Sequence, residues 1–248
     1  MLIKACLNGG TTRQQHPSVP QTPDELAADA VDAVGAGAGV IHVHPRDAAG
    51  NETLAAGAVL AAVRAIRAAV PGVPVGVTTG IWTVAGDPAR RLELVSGWTG
   101  DDRPDFASIN LSEPGTEELA ALLDEVVIPI EAGVWTPADA DRLAASSFGG
   151  RVIRVLIEPR GTVPDDAVTT AALADAALER HGLQAPRLHH GYGIATWHVI
   201  RAALELGRDI RVGLEDTTVL PDGNTATGNA ELVATAVRLA TELGYRPD

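Results

Sequence analysis

The stretch TPDELAADAVDAVGAGAGVIHVH, residues 22–44, contains both element types from which the chain is built. Thr22 followed by Pro23 is typical of a helix start, and the alanine-rich segment predicts a helix over Thr22–Val34. The glycines after it end the helix, and the apolar run Gly39–His44 predicts a buried strand. A strand is also predicted before the helix, over Leu2–Leu7. This strand–helix–strand order indicates two parallel strands.

The same alternation continues to the end of the sequence. Further strands are predicted over Val73–Thr79, Phe106–Leu111, Val126–Val134, Val152–Glu158, Arg187–His190 and Ile210–Glu215. Further helices are predicted over Leu54–Ala69, Thr116–Leu123, Thr136–Ala145, Asp165–Arg180, Ala195–Leu206 and Asn229–Leu243, and Asp87-Pro88 resembles another helix start. Eight strands in 248 residues suit a TIM (β/α)8 barrel, expected as a single domain over residues 1–248. An open doubly wound sheet is the alternative.

Composition excludes several classes of protein. Lys and Arg total 19 against 32 Asp and Glu, so the net charge of −13 disfavours binding to nucleic acid or to an anionic membrane. Cys6 is the only cysteine, which excludes an intrachain disulfide and a cysteine-rich zinc module. The apolar runs fall short of the ~18 residues that a membrane helix needs, and the first residues lack a signal-peptide layout. We therefore expect a soluble cytoplasmic protein with a sizeable core.

Polar residues at the carboxyl ends of the strands are the candidate site, because β/α barrels carry their active sites there. His42 and His44 share one face of strand two, and two imidazoles so spaced suit zinc or a neighbouring transition metal. Hydrogen-bonded core histidines are the alternative. Glu215 ends strand eight, beside strand one, and residues 8–10 (Asn-Gly-Gly) leave room between them. Glu215 is therefore the predicted third ligand, although it could instead cap the last helix.

Other strand ends also carry polar groups. Glu131 lies within strand five and needs a partner or a ligand, because an unpaired buried carboxylate costs several kcal/mol. His190 could belong to the core, a loop or the site. The turn Gly191-Tyr192-Gly193 could present amides to a phosphate or be a simple tight turn. The remaining candidates are Thr78, Thr79 and Gly80 after strand three, and Ser108 and Asn110 on strand four.

Together these motifs resemble the β-keto acid cleavage enzyme family. The resemblance rests on HVHPRD (42–47), TTG (78–80) and RVGLED (211–216), and it extends from strand one to strand eight. It implies a TIM barrel, usually in a homotetramer. It also implies an enzyme that converts a β-keto acid and acetyl-CoA, its co-substrate, into acetoacetate and a new CoA thioester.

The resemblance further implies roles for individual residues. His42, His44 and Glu215 would hold Zn²⁺ or another divalent transition metal, and the metal and Thr78 would hold the keto acid. Asp216, supported by Arg211, would remove the proton between the two carbonyls, and the carbanion would attack the thioester before a retro-Claisen step. We expect the remaining substrate contacts from Thr79, Gly80, Ser108, Asn110 and Glu131.

The residue at position 10 bears on the charge of the preferred substrate. The family member that acts on an amino-substituted keto acid has a glutamate where Gly10 stands here, and Glu131 is the other position expected to be acidic. We therefore expect an uncharged or aliphatic β-keto acid to be preferred over a 5-amino-β-keto acid.

Three other functions compete with this interpretation. An amidohydrolase-type barrel has His-x-His on its first strand and a carboxylated lysine on a middle strand, whereas Lys4, the only lysine, starts strand one. A metal-dependent aldolase that releases pyruvate would share the enolate chemistry. A non-catalytic small-molecule-binding barrel is disfavoured because the metal ligands, Arg211 and Asp216 are all present.

Overall fold

Eight short parallel strands close on themselves, so that the first strand pairs with both the second and the eighth. The computed structural model describes residues 1–246. The strands are β1 Ile3–Cys6, β2 Val40–Val43, β3 Val75–Thr78, β4 Phe106–Asn110, β5 Ile130–Val134, β6 Arg154–Ile157, β7 Arg187–His189 and β8 Asp209–Val212. The closed barrel confirms the predicted TIM barrel and excludes the open doubly wound sheet.

A helix follows each strand and packs on the outside of the barrel. The helices are α1 Pro23–Gly35, α2 Ala56–Ala69, α3 Pro88–Val95, α4 Thr116–Glu125, α5 Pro137–Ala145, α6 Pro164–Arg180, α7 Thr196–Glu205 and α8 Asn229–Glu242. Short 3₁₀ turns lie at Ile81–Val84, Gly149–Arg151 and Gly193–Ala195. None of the helices in residues 1–246 combines the length and the apolar character needed to cross a membrane.

Capping side chains begin several helices, as the sequence predicted. Thr22 and Glu25 form a reciprocal capping box at α1, and Thr136 and Asp139 form another at α5. At α3, the Asp87 carboxylate accepts from two backbone amides of the first turn. Only this cap marked α3 in the sequence, because the helix is short and buries few side chains.

The predicted fifth strand was too long at its beginning. Helix α4 continues to Glu125, and β5 begins only at Ile130. Between them Val127 has a φ of 58°, a left-handed conformation that ends the helix and cannot continue into a strand. The apolar run Val126–Ile128 that suggested a strand is therefore a turn leading into Pro129.

An ion triad fills the end of the barrel interior where the strands begin. Lys4 of β1 and Arg154 of β6 each donate to one carboxylate oxygen of Glu131, and the Arg154 bond measures 2.7 Å. The ring of Phe106 lies 5.8 Å from the Lys4 ammonium and 5.4 Å from the Arg154 guanidinium. Gly76 leaves the space that this ring occupies. The triad supplies the partners that burial of Glu131 requires.

Candidate active site

Two histidines and a glutamate converge at the carboxyl ends of β2 and β8. The potential ligand atoms of His42, His44 and Glu215 all lie within 4.8 Å of one another. His44 Nε2 is 3.4 Å from one carboxylate oxygen of Glu215, and His42 Nε2 is 3.9 Å from the other. Both imidazoles thus face the same carboxylate without a close hydrogen bond to it.

This cluster fits a divalent transition metal. His42 Nδ1 and Glu215 Oε2 are buried, and neither has a hydrogen-bond partner in the described part of the chain. Buried polar atoms are rarely left in this state, because an unmade hydrogen bond costs about 1–3 kcal/mol. Burial lowers the pKa of His42, so that its ring is neutral, which is the form that binds metals. Two imidazoles and one carboxylate with an open side are a donor set that suits zinc.

The loop after β1 shapes the space for these ligands. The side-chain amide of Asn8 bonds both the backbone N–H and the carbonyl of His44, at 2.9 Å each, and so fixes the end of β2. Gly9 has a φ of 51°, and a Cβ built on it would lie 2.2 Å from Cγ of Glu215. Glu215 can therefore occupy its position only because residue 9 has no side chain.

Glu52 orients His44 from behind. Its carboxylate bonds His44 Nδ1 and also accepts from Trp82 Nε1 at 3.2 Å, while the Trp82 ring stacks on His44 with centroids 6.0 Å apart. A carboxylate on Nδ1 fixes the ring so that Nε2 faces Glu215. Burial works against the charge on His44, but Glu215 and Glu52 outweigh burial and raise its pKa to about 9. A cation beside Glu215 would replace that proton.

Glu52 also affects the charge of the pocket beside Gly10. Its Oε2 lies 3.5 Å from where a Cβ on Gly10 would be. The pocket therefore has a carboxylate beside Gly10, supplied by the loop after β2, and Gly10 alone does not set the charge there. Sequence reasoning missed Glu52 because it reaches the site through a fold-back of its loop, in which Arg46 and Glu52 form an isolated antiparallel bridge.

A second chain of charged residues lies beside the first. Arg211 Nη2 donates to Asp216 Oδ1 at 2.7 Å, and His190 Nδ1 is 3.2 Å from the same oxygen. His190 Nε2 continues the chain to Glu158 at 3.0 Å. Burial alone would raise the pKa of Asp216, but Arg211 and His190 outweigh it and lower the pKa. Asp216 is therefore ionised at neutral pH, as a general base must be.

The turn after β7 supports this chain. Gly193 has a φ of 54°, and its amide donates to the carbonyl of Asp216 at 2.8 Å. This amide is thus committed to positioning Asp216 and is not available to a phosphate. His190, whose role the sequence left open, lies between Asp216 and Glu158.

Two of the five expected substrate contacts lie on the cavity wall. Ser108 and Asn110 border the cavity that also contains the two histidines, Arg211 and Glu215, as does Thr78. Thr79 instead turns its hydroxyl to the carbonyl of Ser108, and Gly80 donates its amide to the Thr78 hydroxyl at 3.0 Å.

The expectation for Glu131 needs a correction. Its side chain is fully buried near the start of β5, and both carboxylate oxygens are bonded to Lys4 and Arg154. The sequence required a partner or a ligand for this carboxylate, and the structure supplies partners, Lys4 and Arg154, rather than a substrate. Its position is in the core, away from the cavity at the carboxyl end.

The inner cavity adjoins a wider pocket at the barrel mouth, and the two share His44, Trp82, Arg160, Tyr192 and Glu215 in their walls. Trp82 and Glu52 form one side of the mouth, and Tyr192 and Arg160 form another. None of these four residues was singled out as a substrate contact from the sequence, because a lone polar or aromatic residue in a loop gives no periodic signal.

The sequence matches a family described as beta-keto acid cleavage enzyme over residues 1–146 and 161–248. The chain belongs to the beta-keto acid cleavage enzyme family. It is therefore an enzyme that cleaves a carbon–carbon bond with acyl transfer. This reaction class disfavours both the amidohydrolase-type barrel and the non-catalytic binding barrel.

Two curated relatives cover nearly the full chain. A 3-keto-5-aminohexanoate cleavage enzyme of Fusobacterium nucleatum is 27% identical, over 98% of this chain and 92% of its own length. A 3-oxoadipate:acetyl-CoA acetyltransferase of Cupriavidus necator is 26% identical, over 98% of this chain and 89% of its own length. Among solved structures, a binary complex of ObcA with oxaloacetate superposes with a TM-score of 0.74 at 20% identity, over 93% of this chain. This chain spans 65% of that protein's length, so the likeness concerns the fold alone.

Proposed function

We propose that this enzyme converts a β-keto acid and acetyl-CoA into acetoacetate and a new CoA thioester, with zinc or a related divalent metal held by His42, His44 and Glu215. The observation that supports this most is one cavity bordered by the buried ligand set and by Arg211, whose guanidinium holds the ionised Asp216. When bound, the metal would polarise the ketone of the substrate and make the neighbouring C–H acidic.

Asp216 acts as the base. Its carboxylate takes the proton from the carbon between the two carbonyls, and Arg211 and His190 hold it in place and keep it ionised beforehand. The carbanion then attacks the acetyl carbonyl and expels the CoA thiolate. The thiolate attacks the original ketone, and the retro-Claisen cleavage leaves an acyl-CoA and the acetoacetate carbanion. Asp216 returns its proton to that carbanion.

Thr78 has a hydroxyl suited to holding the acid group. Its oxygen already accepts from the Gly80 amide, so its own proton is available to the cavity. Ser108 and Asn110 add polar groups on the neighbouring strand. Glu52 keeps His44 in the orientation that faces Glu215, and Trp82 covers that ring from the pocket side.

The metal site is tested by measuring metal per chain in the purified protein. We expect close to one divalent ion per chain, lost together with activity in His42→Ala and in His44→Ala. His198→Ala, at an exposed histidine of α7, is the matched control and should keep both. Full metal content in His44→Ala would place the metal elsewhere.

The reaction is tested with a panel of β-keto acids, following acetoacetate with and without acetyl-CoA. Acetoacetate release that depends on acetyl-CoA and yields an acyl-CoA supports the proposal. Release of pyruvate and an aldehyde without acetyl-CoA would favour the metal-dependent aldolase instead. The homotetramer and the cytoplasmic location stay predictions.

A further inference from the structure

Arg160 is a cation at the barrel mouth that the proposed reaction does not use. It follows β6 by three residues, its side chain is exposed, and it borders both the inner cavity and the outer pocket. Within residues 1–246 it forms no ion pair with a carboxylate. Its charge therefore remains available to a molecule in the pocket.

Two aromatic rings hold the guanidinium in place. Its central carbon lies 4.4 Å from the ring centroid of Tyr192 and 4.8 Å from that of Trp135, and Nη1 donates to the Tyr192 hydroxyl at 2.7 Å. Trp135 and Tyr192 are themselves tied to the buried Glu158 by hydrogen bonds. Stacking fixes the plane of an arginine without neutralising it, and the planar fork matches a carboxylate.

Arg160 lies just before the second segment that matches the family. The family match covers residues 1–146 and resumes at 161, so β6, Glu158 and Arg160 lie between the two matched segments. The metal ligands, Arg211 and Asp216 all lie within the matched segments.

We propose that Arg160 binds a carboxylate at the far end of the keto acid, so that the preferred substrate is a β-keto dicarboxylate. This inference rests on the proposed function. Arg160 borders the same cavity as His42, His44 and Thr78, so its guanidinium faces the space in which the keto acid would be held. A 5-amino-β-keto acid would bring an ammonium towards the same guanidinium and should be the poorest substrate.

The test compares three keto acids of equal chain length in wild type and Arg160→Met. They are 3-oxoadipate, 3-oxohexanoate and 5-amino-3-oxohexanoate. In Arg160→Met, kcat/KM should fall about 10- to 100-fold for 3-oxoadipate, as expected for a lost charge-assisted hydrogen bond, and change less than about 3-fold for 3-oxohexanoate. KM for acetyl-CoA should not change. Arg201→Met, at an exposed arginine of α7, is the matched control.

Two other outcomes would overturn the inference. Equal losses for all three keto acids would give Arg160 a structural role, and a raised KM for acetyl-CoA would assign the guanidinium to a coenzyme phosphate. Arg160→Lys keeps the charge without the planar fork and should recover part of the 3-oxoadipate activity, which guards against a folding defect in Arg160→Met.

A binding measurement separates failure of this inference from failure of the proposed function. Adipate cannot react, because it has no ketone, but it carries both carboxylates. It should raise the Tm of the metal-loaded wild type more than hexanoate does, and Arg160→Met should abolish that difference. Equal shifts for the two acids in wild type would refute the Arg160 subsite, whether or not acetoacetate is formed. If no keto acid is turned over but the adipate preference depends on Arg160, the reaction is wrong and the subsite stands.

Discussion

Replacing Gly9 with alanine should remove the metal from a correctly folded barrel. A Cβ at this position would lie 2.2 Å from Cγ of Glu215, whereas two carbon atoms approach to about 3.5–4.0 Å. Glu215 must therefore move by more than about 1 Å, although metal–ligand distances tolerate only about 0.2 Å. The φ of 51° costs an alanine about 1–2 kcal/mol in addition. We expect metal affinity to fall at least about 10- to 100-fold. Substitutions of residues that only support a metal ligand already cause losses in this range.

The assay is a metal titration of the metal-free protein, with a thermal melt in parallel. The cost of the positive φ alone should lower the Tm by roughly 2–8 °C in a chain of this size. Gly10→Ala is the matched control, because position 10 has no positive φ and its Cβ would make an ordinary 3.5 Å contact with Glu52. It should bind metal like the wild type. If Gly9→Ala also binds metal with wild-type affinity, Glu215 is not a ligand and the geometric reasoning is wrong.

Three further predictions concern single side chains. Asp216→Asn should keep its metal, but its activation free energy should rise by about 2–5 kcal/mol. A near-normal kcat would transfer the base role to another group. Glu131→Gln leaves the buried Lys4 without its carboxylate partner and should lose about 3–5 kcal/mol of unfolding free energy in urea, whereas a substrate role would lower kcat/KM without this loss. Burial raises the pKa of Asp29 to about 6, against about 3.9 when unfolded, so stability should fall as pH rises from about 4 to 6. Asp29→Asn should remove this pH dependence and stabilise the protein at pH 7 by up to about 3 kcal/mol, and an unchanged slope would show that Asp29 is not its source.

Periodic features of this molecule could be predicted from the sequence, because periodicity is a local property of the chain. Alternating apolar strands and alanine-rich helices indicated the barrel, and strand alternation put His42 and His44 on one face. The order of strands in a barrel then brought the residue after β8 close to them. Even the room left for Glu215 was visible, since Gly9 and Gly10 lie in the loop after β1.

The depth of a side chain along the barrel axis and the path of a loop follow from no local pattern. Glu131 obeys the alternation of β5, but the sequence does not show that Lys4 and Arg154 lie at its level. Glu52 reaches His44 only because its loop folds back on itself. The parts of the site that carry the reaction lie on strands or directly after them, and these were within reach of sequence reasoning. The mouth, which would select the substrate, is built from loop side chains such as Arg160, and only the folded chain brings them together.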